Sequence, residues 1–198
     1  MPSAHVDRFA RDSLPPPEQQ PEFIFELPEL QFPAQLNCAT EILDRHVAQG
    51  RGARVCIRAP GLEWTYAELQ DKANRIANVL VREMGLVPGN RVLLRAPNNA
   101  MLAACWFAVM KAGGIAVATM PLLRAKELKP ILEIAQVTHA LCDAALAEEL
   151  REAALAAPRL RHILHFNNNA DGTGSLEMAM ARQSAHFDTI DTAADDTT

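Results

Sequence analysis

An α/β fold, with a largely parallel sheet and flanking helices, is predicted by three features of this sequence. From residue 86 onward, short apolar runs alternate with amphipathic segments, the pattern of successive βαβ units. Glycine and proline stand between the segments, as at Pro88-Gly89 and Gly113-Gly114. With 198 residues and 49% hydrophobic content, the chain can bury a real core, roughly 70% of the surface that its unfolded state exposes.

Residues 1–36 carry Pro2, Pro15, Pro16, Pro17, Pro21, Pro28 and Pro33, with apolar patches such as Phe23, Ile24, Phe25 and Leu27. Proline fixes φ and removes an amide donor, so this stretch reads as an extended arm lying over a surface. An α/β unit follows over 37–166. Asn37 is suited to cap a helix that runs to Gln49 with Ile42, Leu43 and Val47 on one face, and Gly50 stops it. Two short strands come next, at 54–58 and 62–64, joined through Pro60 and Gly61.

Thr65, Tyr66, Ala67 and Glu68 form a capping box, and Leu69, Ala73, Ile76, Ala77, Leu80 and Val81 recur at helical spacing up to Gly85. After Pro88-Gly89, the run 92–94 reads as a buried strand, 99–112 as a helix and 115–119 as a strand. Two further cycles follow, a helix at 125–136 with a strand at 140–142, then a helix at 144–156 with a strand at 162–165. Pro130 must occupy the first turn of its helix or kink it. Residues 167–198 read as a loop, a short helix near 176–182, and an acidic tail. The tail carries four aspartates without Lys or Arg over 183–198 and is expected to be disordered.

The net charge of −5 and the scattered basic residues exclude the footprint of a nucleic-acid binder. Cys38, Cys56, Cys105 and Cys142 stand far apart with no C-x-x-C pair, which fits reduced, buried thiols. The longest apolar stretch, 100–110, is about half a bilayer span, and 1–11 lacks the apolar core of a signal peptide. The expectation is a soluble, cytoplasmic protein with no membrane partner. The six histidines show no metal-ligand spacing, so no metal is expected.

Two segments make the reading specific. Trp64-Thr65-Tyr66-Ala67-Glu68-Leu69, followed by Ala73-Asn74-Arg75-Ile76-Ala77, resembles the first core motif of the adenylate-forming (AMP-binding) ligases. Ala108 to Val117, through Lys111-Ala112-Gly113-Gly114 and on to Met120-Pro121-Leu122, resembles the second. Gly89-Asn90-Arg91-Val92 and Pro97-Asn98-Asn99 also fall where the family has comparable residues, and the similarity covers about 22–197. Leu36-Asn37-Cys38-Ala39, Arg95-Ala96-Pro97-Asn98-Asn99 and Thr119-Met120-Pro121-Leu122-Leu123 look most like the 2-aminobenzoate- and benzoate-CoA ligases.

That resemblance implies part of the large N-terminal domain of the ligase fold. In the intact enzyme it implies ATP, Mg2+ and coenzyme A acting on an aromatic carboxylate through an acyl-adenylate. The family's Gly/Ser/Thr-rich phosphate loop with lysine, its adenylate motif, its ribose-binding aspartate and its mobile C-terminal domain are not matched here. Asp171-Gly172-Thr173-Gly174-Ser175 is the nearest imitation of the loop, without a following lysine. Lys72, Lys111, Lys126 and Lys129 fit none of the family's lysine roles. The chain alone is therefore expected to be inactive, with no catalytic residue and no bound cofactor of its own.

Ligands of a parallel sheet bind at the carboxyl ends of its strands. Asn98 and Asn99 follow one such end and Met120, Pro121 and Leu122 another, making these five the candidate substrate-binding residues. Each also has a plain structural reading: Asn99 caps a helix and Pro121 ends a strand. Thr65 and Glu68 read as a cap, Gly113 and Gly114 as a left-handed helix stop, and Trp106, Phe107 and Met110 as packing residues. The rival reading is a noncatalytic α/β module that binds a small ligand or a protein. Either way, an exposed sheet face is expected to self-associate.

Overall fold

A computed structural model describes residues 3–22, 24–168 and 174–198. Phe23 and most of the glycine-containing pentapeptide, Asp171 to Thr173, lie outside the described residues. The architecture is a β-hairpin beside a four-stranded sheet with helices on both faces. The hairpin pairs β1 (Val55–Ala59) and β2 (Leu62–Thr65) antiparallel. The sheet contains β3 (Arg91–Arg95), β4 (Ile115–Thr119), β5 (His139–Asp143) and β6 (His162–Phe166), all parallel, in the order β4-β3-β5-β6.

Strand alternation divides the core. Val92 and Leu94 of β3 and Leu141 of β5 face α2 (Tyr66–Asn78), α3 (Ala100–Lys111) and α6 (Ser175–Met180). Leu93, Ala140 and Cys142 point the other way, against α4 (Ala125–Ile134) and α5 (Ala147–Ala154). Both faces are covered, so all five residues of β3 and of β5 are buried, as in the central strands of a two-faced parallel sheet.

The capping box forms as predicted. The Glu68 amide donates to Thr65 Oγ1 at 3.3 Å, and Glu68 Oε2 accepts from the Thr65 amide at 2.7 Å. The Thr65 amide, and then the Thr65 hydroxyl donating to the same carboxylate at 2.9 Å, hold the Glu68 pKa below its ordinary value. Leu69, Ala73, Ile76, Ala77 and Leu80 are buried as the spacing requires, whereas Val81 is exposed. Val81 lies in the wide-turned continuation at Val79–Glu83, where the helical phase slips.

Other expectations need correction. The first helix holds its Asn37 cap, with the Ala39 amide on Asn37 Oδ1 at 3.0 Å, and Gly50 takes φ +76 near its end. Two wide turns, Thr40–Asp44 and Val47–Arg51, rotate its face, so Leu43 is buried while Ile42 stands 55% exposed. Pro130 lies inside α4 at its sixth position, beyond the first turn. Trp106 is 44% exposed rather than packed in the core.

The tail expected to be disordered is instead laid against the body. Thr192 is fully buried, Gln35 bridges Ala193, and the Ile190 amide donates to Lys111 O at 2.9 Å. Composition misled here because an aspartate of the tail finds donors in the fold: Asp196 accepts from the amides of Ala4, at the far end of the chain, and Ala193 at 2.9 and 3.0 Å. The N-terminal arm is less extended than its prolines imply. It contains the single turn α1 (Phe9–Asp12) and 3-10 turns at Pro17–Gln19 and Pro28–Leu30.

Its start is fixed to the sheet. Val6 and Asp7 donate their amides to Pro88 O, and Asp7 Oδ2 accepts from Arg91 Nη1 at 2.6 Å. Gly89, at φ +88, is where the arm passes closest, since a Cβ there would lie 2.1 Å from Asp7 O.

The two sheet margins differ. At β6, Ser175 Oγ accepts the His165 amide at 2.8 Å and donates to His165 O at 3.2 Å, and Glu177 accepts the Asn167 amide at 3.0 Å. Thus α6 occupies backbone groups that would otherwise invite another strand.

Candidate functional site

The carboxyl ends of the four parallel strands form one edge. Asn98 and Asn99 follow β3, Met120, Pro121 and Leu122 follow β4, Asp143 closes β5, and Asn167 follows β6. All five sequence-predicted residues therefore reach the same edge of the sheet.

They do not behave alike. Asn99 Oδ1 accepts the Leu102 amide at 2.9 Å and caps α3, while its Nδ2 donates to Asp143 Oδ2 at 3.0 Å. Asn98 is exposed and makes no side-chain hydrogen bond among the described residues. Met120 and Leu122 are 62% and 83% exposed, with Pro121 partly covered. The edge therefore presents a free amide and an apolar lip to solvent.

Sequence reasoning missed two residues that organise this edge. Asp143 is buried and accepts from Asn99 Nδ2, from Asn167 Nδ2 at 3.0 Å and from the Ala145 amide at 3.0 Å. Asn167 takes φ +56, a conformation that asparagine tolerates better than most residues. Three donors on one carboxylate make Asp143 a clasp between β3, β5 and β6.

Arg95 is the second. It is 1% exposed, and its guanidinium donates to the carbonyls of Met120, Pro121 and Leu123 at 3.1, 3.2 and 2.6 Å. It holds the 120–123 turn by the carbonyl oxygens, leaving the side chains of Met120 and Leu122 outward. Burial pulls its pKa below the ordinary arginine value, opposed by Cys142 and Glu149. A charged residue ending the apolar run Val92-Leu93-Leu94 was the available signal.

Chemically, this edge can position and bind, but its described residues contain no nucleophile paired with a base. Each lysine is engaged elsewhere. Lys111 is buried on Asp44, Lys72 lies 4.7 Å over the Trp64 ring, and Lys126 and Lys129 pair with Glu127 and Glu152. Cys105 and Cys142 are buried free thiols, and burial pushes the Cys142 pKa up to about 12, far from a reactive thiolate. No group of three His, Cys, Asp or Glu among the described residues is placed to hold a metal ion. Among the same residues, no helix is long and apolar enough to cross a membrane. A cavity of about 330 Å3 lies between α5 and β6, and one of about 290 Å3 lies at the opposite end of the sheet.

A four-stranded parallel sheet with helices on both faces defines a protein of the α/β class. The family is settled by comparison: the model of the AMP-binding enzymes matches residues 43–197, and the chain belongs to that family. The 4-hydroxybenzoate–CoA/benzoate–CoA ligase of Rhodopseudomonas palustris is 26% identical over 81% of this chain and 30% of its own length. The benzoate–CoA ligase of Thauera aromatica is 25% identical over 85% of this chain and 32% of its own.

Among solved structures, the anthranilate CoA ligase AuaEII in complex with anthranoyl-AMP superposes with a TM-score of 0.75 at 22% identity, over 83% of this chain and 31% of that one. At that identity the likeness shows the fold. ATP-bound MatB of Rhodopseudomonas palustris gives 0.70 at 30% identity, over 81% of this chain and 30% of that one. The chain thus spans about a third of the length of the relatives it matches.

Proposed function

We propose that this chain belongs to an aromatic acid–CoA ligase, contributing its scaffold and the rim of a substrate site rather than its reacting groups. The observation that carries this reading is the family match over 43–197, together with two benzoate–CoA ligase relatives aligned over more than four fifths of the chain. The overall reaction joins benzoate or 2-aminobenzoate to coenzyme A with ATP and Mg2+, through an acyl-adenylate, releasing AMP and diphosphate. Asn98, Asn99, Met120, Pro121 and Leu122 line the rim in this reading, with Arg95 and Asp143 holding them in place.

The chemistry requires donors around a triphosphate and a lysine free to meet developing negative charge. The lysines here are engaged structurally, so the 198 residues alone are expected not to adenylate an acid. Helices cover both faces of the sheet, so self-association through an exposed face gives way to association at the margin of β4, a reading supported by the exposed Met120 and Leu122 that directly follow that strand.

ATP–pyrophosphate exchange with the purified chain, with benzoate or 2-aminobenzoate present, is expected to stay at background. Exchange above background would overturn the noncatalytic role. The polypeptide isolated from the cells that make it, assayed with a panel of acids, is expected to favour benzoate-type carboxylates. Preference for an aliphatic acid would overturn the substrate class.

A further inference from the structure

The amino edge of the sheet, opposite the edge described above, carries the smaller cavity, about 290 Å3, lined by Asn90, Thr138, His139, Arg159, Arg161 and His162. Packing builds it. Leu160 is buried, its amide donates to Ala157 O at 3.0 Å, and the Arg161 amide donates to Thr138 O at 3.1 Å. With Leu160 pinned inward, the exposed neighbours Arg159 and Arg161 border the same hollow. The pairing of β5 with β6 sets His162 against His139, their rings stacked 5.0 Å apart at 16°.

The charges in this hollow are unbalanced. No carboxylate lines it, and among the described residues neither Arg159 nor Arg161 makes an ion pair or a side-chain hydrogen bond. That is a local inversion in a chain of net charge −5. The carboxylate nearest in bonding is Asp7, which accepts from Asn90 Nδ2 at 2.9 Å and is matched by Arg91.

His139 forms the wall rather than a donor, because both its ring nitrogens are engaged, Nε2 with Met84 O at 3.0 Å and Nδ1 with Thr138 Oγ1 at 2.7 Å. Burial also holds its pKa down. The His162 ring has no hydrogen-bond partner among the described residues. Two guanidinium forks and one imidazole, lining one hollow without an acid, match the several oxygens of a phosphate dianion.

We propose that this cavity is a phosphate-binding site, taking the phosphate group of a small soluble molecule or of a lipid headgroup. It is separate from the carboxyl-edge rim and does not rest on the ligase reading.

The test is an NMR titration of the histidine ring signals of the 198-residue chain with sodium phosphate, against sodium chloride at equal ionic strength. Co-sedimentation with vesicles of phosphatidic acid in phosphatidylcholine runs in parallel. Saturable shifts at His162 with phosphate are expected, weakened at least about tenfold in the Arg159→Gln/Arg161→Gln double variant. Arg54→Gln, an exposed arginine elsewhere, should leave them unchanged. Vesicle binding lost in the double variant alone, without a response to free phosphate, also supports the site and assigns the lipid source. A response no different from chloride, with no arginine-dependent vesicle binding, would overturn it, as would an equal loss in Arg54→Gln. The altered side chains are exposed, and circular dichroism confirms that each variant is folded before titration.

Discussion

Lys111 and Asp44 form an ion pair whose two ends should respond very differently to removal. The Lys111 side chain is 1% exposed and that of Asp44 21%. Asp44 also accepts from Gln70 Nε2 at 2.7 Å and from Thr189 Oγ1 at 3.4 Å. In Lys111→Met, a chain of similar volume fills the site, and the carboxylate keeps its other partners and some water, for a cost of about 1–2 kcal/mol.

In Asp44→Ala, the ammonium is left buried without a counter-charge, for about 3–5 kcal/mol. The upper bound follows from the lysine's alternative of shedding its proton, which at pH 7 costs about 5 kcal/mol from an ordinary pKa of about 10.4. The sign with pH is fixed. Burial lowers the Lys111 pKa in the fold, and removing Asp44 takes away a contribution that raises it. Between the folded and unfolded pKa values the unfolded chain binds the extra proton, so stability rises with pH across that window. In Asp44→Ala it should recover by up to about 1.4 kcal/mol per pH unit. Urea unfolding followed by circular dichroism at pH 7 and pH 9 measures both effects. Equal losses in the two variants, or a pH-independent Asp44→Ala, would refute the reasoning.

Three further outcomes are expected. Gly89→Ala places a Cβ against Asp7 O at a residue with φ +88, so it should detach the N-terminal arm and speed tryptic cleavage after Arg8 and Arg11. Asn99→Ala loses the α3 cap and one donor to Asp143, costing about 1–2 kcal/mol, while Asn98→Ala should stay within about 0.5 kcal/mol; thermal unfolding compares them. Burial lowers the pKa of His5 and of His139, so both are held neutral. The unfolded chain then takes up protons below the ordinary histidine pKa, and stability should fall from about pH 6.5 downward, by up to about 1.4 kcal/mol per pH unit for each. Asp7 and Asp196, held below the ordinary carboxylate value, add a loss in the same direction at lower pH. Denaturant midpoints at pH 7 and pH 5 check the sign, and His139→Asn should flatten the slope.

Much of the fold was legible because it depends on nearest neighbours in the chain. Thr65 and Glu68 meet across one helical turn, Asn99 reaches an amide three residues on, and Gly113 takes φ +68 after α3 as a glycine can. The five candidate residues lie at the carboxyl edge because the rule that strands of a parallel sheet present ligands there needs only the strand ends, which local sequence shows. The same rule reaches Asp143 and Asn167, at the ends of β5 and β6, but not the bonds that join Asp143 to Asn99 and to Asn167. Asn99 and Asn167 lie 44 and 24 residues from Asp143 in the chain, and the three meet only because β3, β5 and β6 are adjacent.

The sequence by itself determined the strands and helices between residues 54 and 166 and the parallel sheet they form, and two short motifs pointed to the family, since these rest on local spacing. Tertiary structure alone decided the strand order, the burial of Arg95 on three carbonyls, and the docking of an acidic tail that composition marked as disordered. Local sequence reports what a segment prefers in water, whereas a buried charge or a polar tail is stable only when distant parts of the chain supply its partners.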